Sequence, residues 1–225
     1  KNGQGLIDLV EGICAAAPEC RVRLGSLEPR TITGDFCRRA AALPNLCPHF
    51  HLSMQSGCDA TLKRMNRKYD SERYYESVKL LRGHFDRPGI TTDLIVGFPG
   101  ETEEEFAQTL DFVRKCAFSA LHIFPYSRRS GTPAASMPGQ VPLTEKEERA
   151  HRAAAVAAEL RAAWLAGGIG RTAPVLFEEE KNGLWRGHAP DYTEVYAEGV
   201  GLHNVIKTVE MTEIHENGWK GSVVK

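Results

Sequence analysis

Four short apolar segments alternate with helical patterns over the first 125 residues, and this alternation constrains the fold more than any other feature of the sequence. Near-continuous apolar strands that are separated by helices are typical of a parallel sheet with helices covering it. Four strands are too few to close an eight-stranded barrel. The sequence therefore predicts an open, partial β/α barrel, with parallel strands at residues 21–25, 49–54, 90–96 and 120–125.

Helical spacing of apolar residues marks the segments between and after these strands. Thr102, followed three residues later by Glu105, forms the pattern of a capping box, and Thr144 with Glu147 repeats it before an alanine-rich stretch. We predict helices over residues 6–17, 34–43, 59–83 (with a break near Asp70), 101–116 and 144–166.

The pattern changes after Arg171 to short strands that are separated by turns. Asn182-Gly183 and Asn217-Gly218 are strong hairpin signals, because asparagine and glycine tolerate the positive φ angles of tight turns. Five strands in such a short segment predict a small, OB-like β-barrel. We place the domain boundary at 167–170, which gives a barrel-type domain over 1–168 and a small β-domain over 169–225, with strands at 172–177, 184–189, 193–198, 205–211 and 218–224.

The cysteines and the apolar runs exclude several classes of protein. No run approaches the 18 apolar residues of a membrane-spanning helix. The six cysteines form neither C-x-x-C nor the C-x-x-x-C-x-x-C triplet of an iron–sulfur site, so we expect reduced thiols of a cytoplasmic protein and no metal bound by them. The chain starts without methionine and beside a helical pattern, which suggests a piece of a longer protein.

The formal charge gives no general signature of nucleic-acid binding. The chain carries a net charge of −1, and the segment after residue 170 has six basic and nine acidic residues. This acidic balance counts against strong non-specific binding of nucleic acid by the C-terminal part alone.

Polar residues bunch at the ends of three predicted strands, where parallel folds place their chemistry. Ser26 and Glu28 follow the first strand, Ser53 and Gln55 end the second, and Asp93 lies in the third. Buried strands carry polar groups when those groups have partners or a function, so these side chains either cap neighbouring helices or face a ligand. The glycines at 97 and 100 lack the Lys-Ser/Thr of a P-loop, which excludes an ATPase of that type.

The segments His51-Leu52-Ser53-Met54-Gln55-Ser56-Gly57-Cys58 and Leu62-Lys63-Arg64-Met65-Asn66-Arg67 closely resemble the radical S-adenosylmethionine (SAM) methylthiotransferases. Cys58 and the segment Leu24-Gly25-Ser26-Leu27-Glu28-Pro29 resemble the branch that acts on threonylcarbamoyl-adenosine beside the tRNA anticodon. The C-terminal segment resembles the TRAM domain of that family, so the likeness extends over the whole chain.

The resemblance implies an enzyme that adds a methylthio group to C2 of an adenine in tRNA, with SAM and two 4Fe–4S clusters as cofactors. The ligands of both clusters belong to segments that precede this chain in the family, so we expect this chain to bind no cluster and to be inactive alone. The residues that the resemblance assigns to SAM are Ser26, Glu28, Ser53, Gln55, Arg67, Ile95 and Gly97.

Arg67 suits the SAM carboxylate because a guanidinium group can bind it with two hydrogen bonds, and the alternative is a solvated helix charge. Asp93 and Tyr126 are the catalytic candidates, and His51 is as compatible with a core histidine as with a functional one. Candidate RNA contacts are Arg128, Arg129, Trp185 and Tyr192.

Two alternative functions stay open from the sequence. The same chemistry could act on isopentenyl-adenosine in tRNA or on an aspartate of a ribosomal protein. An alternative that is not an enzyme is a non-catalytic RNA-binding module, which would require RNA affinity with a steep salt dependence.

Overall fold

The computed structural model describes residues 5–224 and contains a parallel sheet covered by helices, followed by a small β-barrel. The sheet has four strands in the order β1-β2-β3-β4, all parallel. The predicted partial barrel of parallel strands is thus confirmed. The strands are β1 (Ser26–Leu27), β2 (His49–Leu52), β3 (Gly89–Val96) and β4 (Ala120–Pro125).

The helices also follow the predicted pattern. Asp70 separates two of them and caps the second, since its Oδ1 accepts a hydrogen bond from the Arg73 backbone N–H at 2.8 Å. The helices are α1 (Leu6–Ala16), α2 (Gly34–Ala41), α3 (Asp59–Arg64), α4 (Ser71–His84), α5 (Glu103–Cys116), α6 (Pro133–Ser136) and α7 (Leu143–Ala166), with a 3₁₀ turn at Pro29–Thr31.

The two faces of the sheet differ in chemistry. On one face Phe50, Leu52, Leu94 and Val96 are fully buried in the core that the helices close. Because side chains alternate along a strand, the residues between them point to the other face, and these are largely polar. That second, concave face is where a ligand can meet polar groups.

Two predictions for the sheet and its helices were wrong. The first strand is not at 21–25, because Val22 makes only an isolated bridge to Leu46. The chain joins the sheet four residues later, where Ser26 pairs with His51. Thr144 does not cap α7, because the helix already begins at Leu143 with Pro142 as its N-cap and no side-chain cap. The capping box of Thr102 and Glu105 is confirmed.

Five antiparallel and parallel pairings close the small barrel in the order β5-β6-β7-β9-β8. Asn182 and Gly183 form the predicted hairpin turn, both with positive φ angles. The second predicted turn was misplaced by one residue: Glu216 adopts the positive φ angle, and Gly218 starts β9 against the Glu194 carbonyl, where a side chain would clash. The strands are β5 (Thr172–Lys181), β6 (Leu184–His188), β7 (Glu194–Ala197), β8 (Val205–His215) and β9 (Gly218–Val223).

The small barrel packs against the amino ends of the sheet strands. The guanidinium group of Arg87, just before β3, lies 3.7 Å from the ring centroid of Trp164 in α7. The Trp219 indole N–H donates to the Leu165 carbonyl at 2.8 Å, so the last turn of α7 is part of the barrel core. The OB-like identity of the barrel and the domain division at 167–170 stay predictions. Within residues 5–224, no helix is long and apolar enough to span a membrane.

Candidate functional site

The concave face of the sheet and the small barrel enclose an open cleft of about 410 Å³. This volume lies within the range of pockets that bind small molecules. Its floor is made by alternating residues of β2, β3 and β4, and its rim by the small barrel and α7. The polar residues that line it are Arg23, Ser26, His49, His51, Thr91, Asp93, Ser119, His122, Arg161, Asp191, Tyr192, Thr193 and Asn217.

Asp93 lies in this cleft with its side chain 30% exposed, and its Oδ2 lies 3.3 Å from Nε2 of His51. His51 Nδ1 in turn lies 3.0 Å from the Thr91 hydroxyl oxygen. The same hydroxyl lies 3.3 Å from Nε2 of His49, and Arg23 approaches the other nitrogen of His49 at 3.5 Å. One row of polar contacts therefore crosses the floor of the cleft.

His49 is only 3% exposed. Burial, together with the nearby charge of Arg23, lowers the pKa of the His49 imidazole to about 4. His49 is consequently neutral at pH 7, with one ring nitrogen as donor and the other as acceptor.

A second group of predicted residues lies at the carboxyl edge of β1 and β2. The Tyr69 hydroxyl donates to the Ser53 carbonyl at 2.6 Å. Burial raises the pKa of Tyr69, with opposing contributions from the charges of Arg67 and Glu28. Glu28 directly follows β1 and Ser53 directly follows β2, so both lie at this edge although they are distant in sequence. Arg67 is exposed, as the solvated alternative requires.

Gln55, Ile95 and Gly97 lie at the carboxyl edge of β2 and β3. The backbone of Gln55 has a φ angle of 68° and pairs with the third strand, donating to the Asp93 carbonyl and accepting from Ile95 N–H, both at 2.9 Å. Gly97 has a φ angle of 70° and its amide donates to the buried Glu101 carboxylate at 2.6 Å. These backbone bonds fix a turn that a larger residue at position 97 would disrupt by contact with Lys146.

Tyr126 follows the fourth strand, and its hydroxyl is buried without a hydrogen-bond partner among the described residues. Its ring contacts Phe98 edge-on at 5.3 Å, and its carbonyl accepts from Lys146 Nζ at 3.1 Å. An unpaired buried hydroxyl costs free energy, so this one is suited to a water or ligand partner.

The structure thus brings Ser26 and Asp93 into one cleft and places the other predicted SAM residues along the adjoining carboxyl edge. Sequence reasoning missed His49, Thr91 and His122 on the floor of the cleft. The signal that could have found them is the period-two spacing of polar residues within each strand, as in His49 and His51.

The candidate RNA contacts do not share one surface feature. Arg128 and Arg129 are exposed in the loop before α6, and Arg128 Nε donates to the Ala135 carbonyl at 2.7 Å. Trp185 packs beside the barrel core and its indole N–H donates to the Gly199 carbonyl at 3.1 Å. Tyr192 lies between the two domains, stacked on His188 at 4.6 Å and covered by Arg23 at 3.9 Å. Tyr192 is therefore engaged within the chain.

The cysteines are free thiols, and all except Cys20 are buried. Burial raises the pKa of Cys37 to about 11 and that of Cys116 to about 12, so neither is a thiolate at neutral pH. Residues 5–224 contain no group of three or more His, Cys, Asp or Glu side chains placed to hold a metal ion.

Comparison with known proteins finds a similarity to radical SAM proteins over part of the chain. Residues 5–113 match the model of the radical SAM superfamily. Coproporphyrinogen III oxidase of Escherichia coli, described as a radical SAM enzyme, superimposes with a TM-score of 0.57 at 15% identity, over 85% of this chain and 51% of that one. At this identity the likeness shows the fold. The superfamily match supports SAM and 4Fe–4S clusters as cofactors.

Several curated relatives carry the name tRNA-2-methylthio-N(6)-dimethylallyladenosine synthase. The protein of Endomicrobium trichonymphae is 37% identical over 208 residues, which is 91% of this chain and 49% of the relative. That of Acidothermus cellulolyticus is 44% identical over 159 residues, 71% of this chain and 32% of the relative. The chain spans half or less of the length of these relatives.

Proposed function

We propose that this chain is part of a tRNA methylthiotransferase that adds a methylthio group to an N6-modified adenosine by radical SAM chemistry. The observation that carries the proposal is the coincidence of two facts. The family match covers β1, β2 and β3, and residues of the methylthiotransferase-like motifs lie at the carboxyl edge of these strands, where the Tyr69 hydroxyl donates to the Ser53 carbonyl and the Gln55 backbone pairs with β3. Parallel α/β folds bind their ligands at that edge.

The residues at this edge fit the chemistry of SAM. Glu28 and Ser53 offer acceptors and a hydroxyl for the ribose or the amino group, and Arg67 offers two parallel donors for the carboxylate. Gln55, Ile95 and Gly97 present backbone and apolar surface for the adenine. When bound, SAM and the cluster supply the radical chemistry, while the residues of this chain bind and orient the nucleoside part.

The names of the relatives favour isopentenyl-adenosine, the alternative substrate in the sequence analysis, as the adenosine that is modified. Their name specifies dimethylallyladenosine, an isopentenyl-type nucleoside, whereas Cys58 and the Leu24–Pro29 segment resemble the branch that acts on threonylcarbamoyl-adenosine. We therefore propose dimethylallyladenosine in tRNA as the substrate, with threonylcarbamoyl-adenosine as the second candidate on the strength of those residues.

Deletion of the gene in its host, followed by mass spectrometry of tRNA nucleosides, tests the proposal. Loss of the methylthio form of dimethylallyladenosine supports the first substrate, and loss of the methylthio form of threonylcarbamoyl-adenosine supports the second. Unchanged levels of both would contradict the proposed function. An RNA-binding module without catalysis would leave both levels unchanged and would still bind tRNA with a steep salt dependence.

A further inference from the structure

The polar contacts on the floor of the cleft form a chain of hydrogen bonds that runs in one donor-to-acceptor direction. This direction follows from which atoms can only donate or only accept. Arg23 has no acceptor atom, so its contact with His49 Nδ1 makes that nitrogen the acceptor. The neutral His49 then carries its proton on Nε2 and donates to the Thr91 oxygen at 3.3 Å.

The direction continues through Thr91. Its oxygen accepts from His49, so its own hydrogen is free to donate to His51 Nδ1 at 3.0 Å. With Nδ1 of His51 occupied as an acceptor, the ring proton lies on Nε2 and donates to Asp93 Oδ2 at 3.3 Å. Each member thus fixes the tautomer of the next.

We propose that His49, Thr91 and His51 are positioning residues that hold the Asp93 carboxylate as an acceptor for a hydroxyl or amino group of a nucleoside bound in the cleft. Among residues 5–224, His51 is the polar partner that the structure records for this carboxylate. The carboxylate is partly exposed, and an ionised carboxylate can accept several hydrogen bonds, so capacity remains for a ligand. Only the identity of the ligand rests on the proposed function; the hydrogen-bonded chain does not.

The residues around these hydrogen bonds leave the Asp93 carboxylate available as an acceptor. His122 on β4 lies with its ring 5.9 Å from that of His51, and Arg161 of α7 borders the same cleft. Asp191, the other carboxylate there, lies 4.0 Å from Arg87 and accepts from the Thr193 amide at 2.9 Å. Asp93 is therefore the cleft carboxylate without an arginine partner.

Long-range ¹H–¹⁵N correlation spectra of the 225-residue chain with labelled histidine test the direction. At pH 7 we expect Nδ1 of both His49 and His51 to give the signal of an unprotonated nitrogen, and Nε2 that of a protonated one. His49→Gln and His51→Gln assign the signals. A proton on Nδ1 of either ring, or on both nitrogens of His51, would contradict the proposed direction of the hydrogen bonds from His49 to Asp93.

Thr91→Val and Thr91→Ser form a matched pair, because valine keeps the shape and loses the hydroxyl while serine keeps the hydroxyl. We expect the His51 Nδ1 signal to move toward a tautomer average in Thr91→Val and to stay in place in Thr91→Ser. His151 on the exposed side of α7 is the internal reference and should not move in either variant. Unchanged His51 signals in Thr91→Val would contradict the proposal. If that variant does not fold, the tautomers of His49 and His51 in the wild-type protein decide whether the proposed direction is correct.

Titration with adenosine at millimolar concentration tests the ligand. The His51 signals should move, those of His151 should not, and Asp93→Asn should weaken the response about tenfold or more, as expected for loss of a charge-assisted hydrogen bond. Absence of a response, or an equal response in Asp93→Asn, would overturn the assignment of Asp93. Neither result alters the outcome of the tRNA nucleoside measurement, so the two proposals fail separately.

Discussion

Gly89, the first residue of β3, lies directly against the backbone carbonyl group of Asp191 in the small barrel. A Cβ atom at this position would overlap with that carbonyl. Glycine within a strand often marks such a close approach of two backbones. The contact therefore fixes how near the small barrel comes to the amino edge of the sheet and to the cleft between them.

Replacing Gly89 by alanine should lower the free energy of unfolding by about 1–3 kcal/mol, the range for overpacking a buried site. Gly83→Ala is the matched control, because the Gly83 position in α4 is open and alanine favours a helix by roughly 0.5–1 kcal/mol. Urea denaturation that is followed by tryptophan fluorescence measures both. Equal stability of the two variants would show that the domains do not meet as described.

The buried His49 predicts a loss of stability in acid. Its folded pKa of about 4 lies below the ordinary value of 6.5, so the unfolded chain binds the proton first as the pH falls. The stabilisation is complete above pH 6.5 and declines between 6.5 and 4, by up to about 3 kcal/mol from this residue.

Urea denaturation of wild type and His49→Gln at several pH values between 7 and 4 measures this contribution. The difference between the two proteins should shrink as the pH falls, because glutamine does not titrate. His151→Gln, at an exposed position, is the control and should retain the wild-type dependence. A pH-independent difference would show that His49 is not kept neutral by burial.

Local signals in the sequence predicted most of the helices and strands, whereas the contacts between residues on the floor of the cleft could not be predicted. The turn at Asn182-Gly183 and the helix break near Asp70 depend on neighbouring residues, and both are present. The contact of His51 with Thr91 joins residues 40 positions apart, and only the pairing of β2 with β3 brings them together. The first strand was misplaced because its pairing with β2 begins only at Ser26.

Arg67 should contribute to SAM binding through hydrogen bonds from its guanidinium group to the carboxylate of the ligand. Arg67→Ala is expected to weaken binding of S-adenosylhomocysteine about tenfold or more, since charge-assisted hydrogen bonds contribute roughly 1.5–3 kcal/mol. Lys63→Ala is the control, because Lys63 is an equally exposed cation on the neighbouring helix α3. Isothermal titration calorimetry measures both, and equal losses would identify Arg67 as a solvated charge.

This chain alone is expected to bind no stoichiometric iron–sulfur cluster. Cluster ligation needs several thiolates at close spacing, whereas the six cysteines are scattered and burial raises the pKa of Cys14, Cys37, Cys47 and Cys116. Anaerobic incubation with iron and sulfide, followed by desalting, iron analysis and absorption spectroscopy, is the measurement. Cys20→Ser is the control for adventitious iron, because Cys20 is the exposed thiol of the described residues. About four iron atoms per chain, with a charge-transfer band that persists in Cys20→Ser, would require the buried cysteines to rearrange around a cluster and would contradict the prediction.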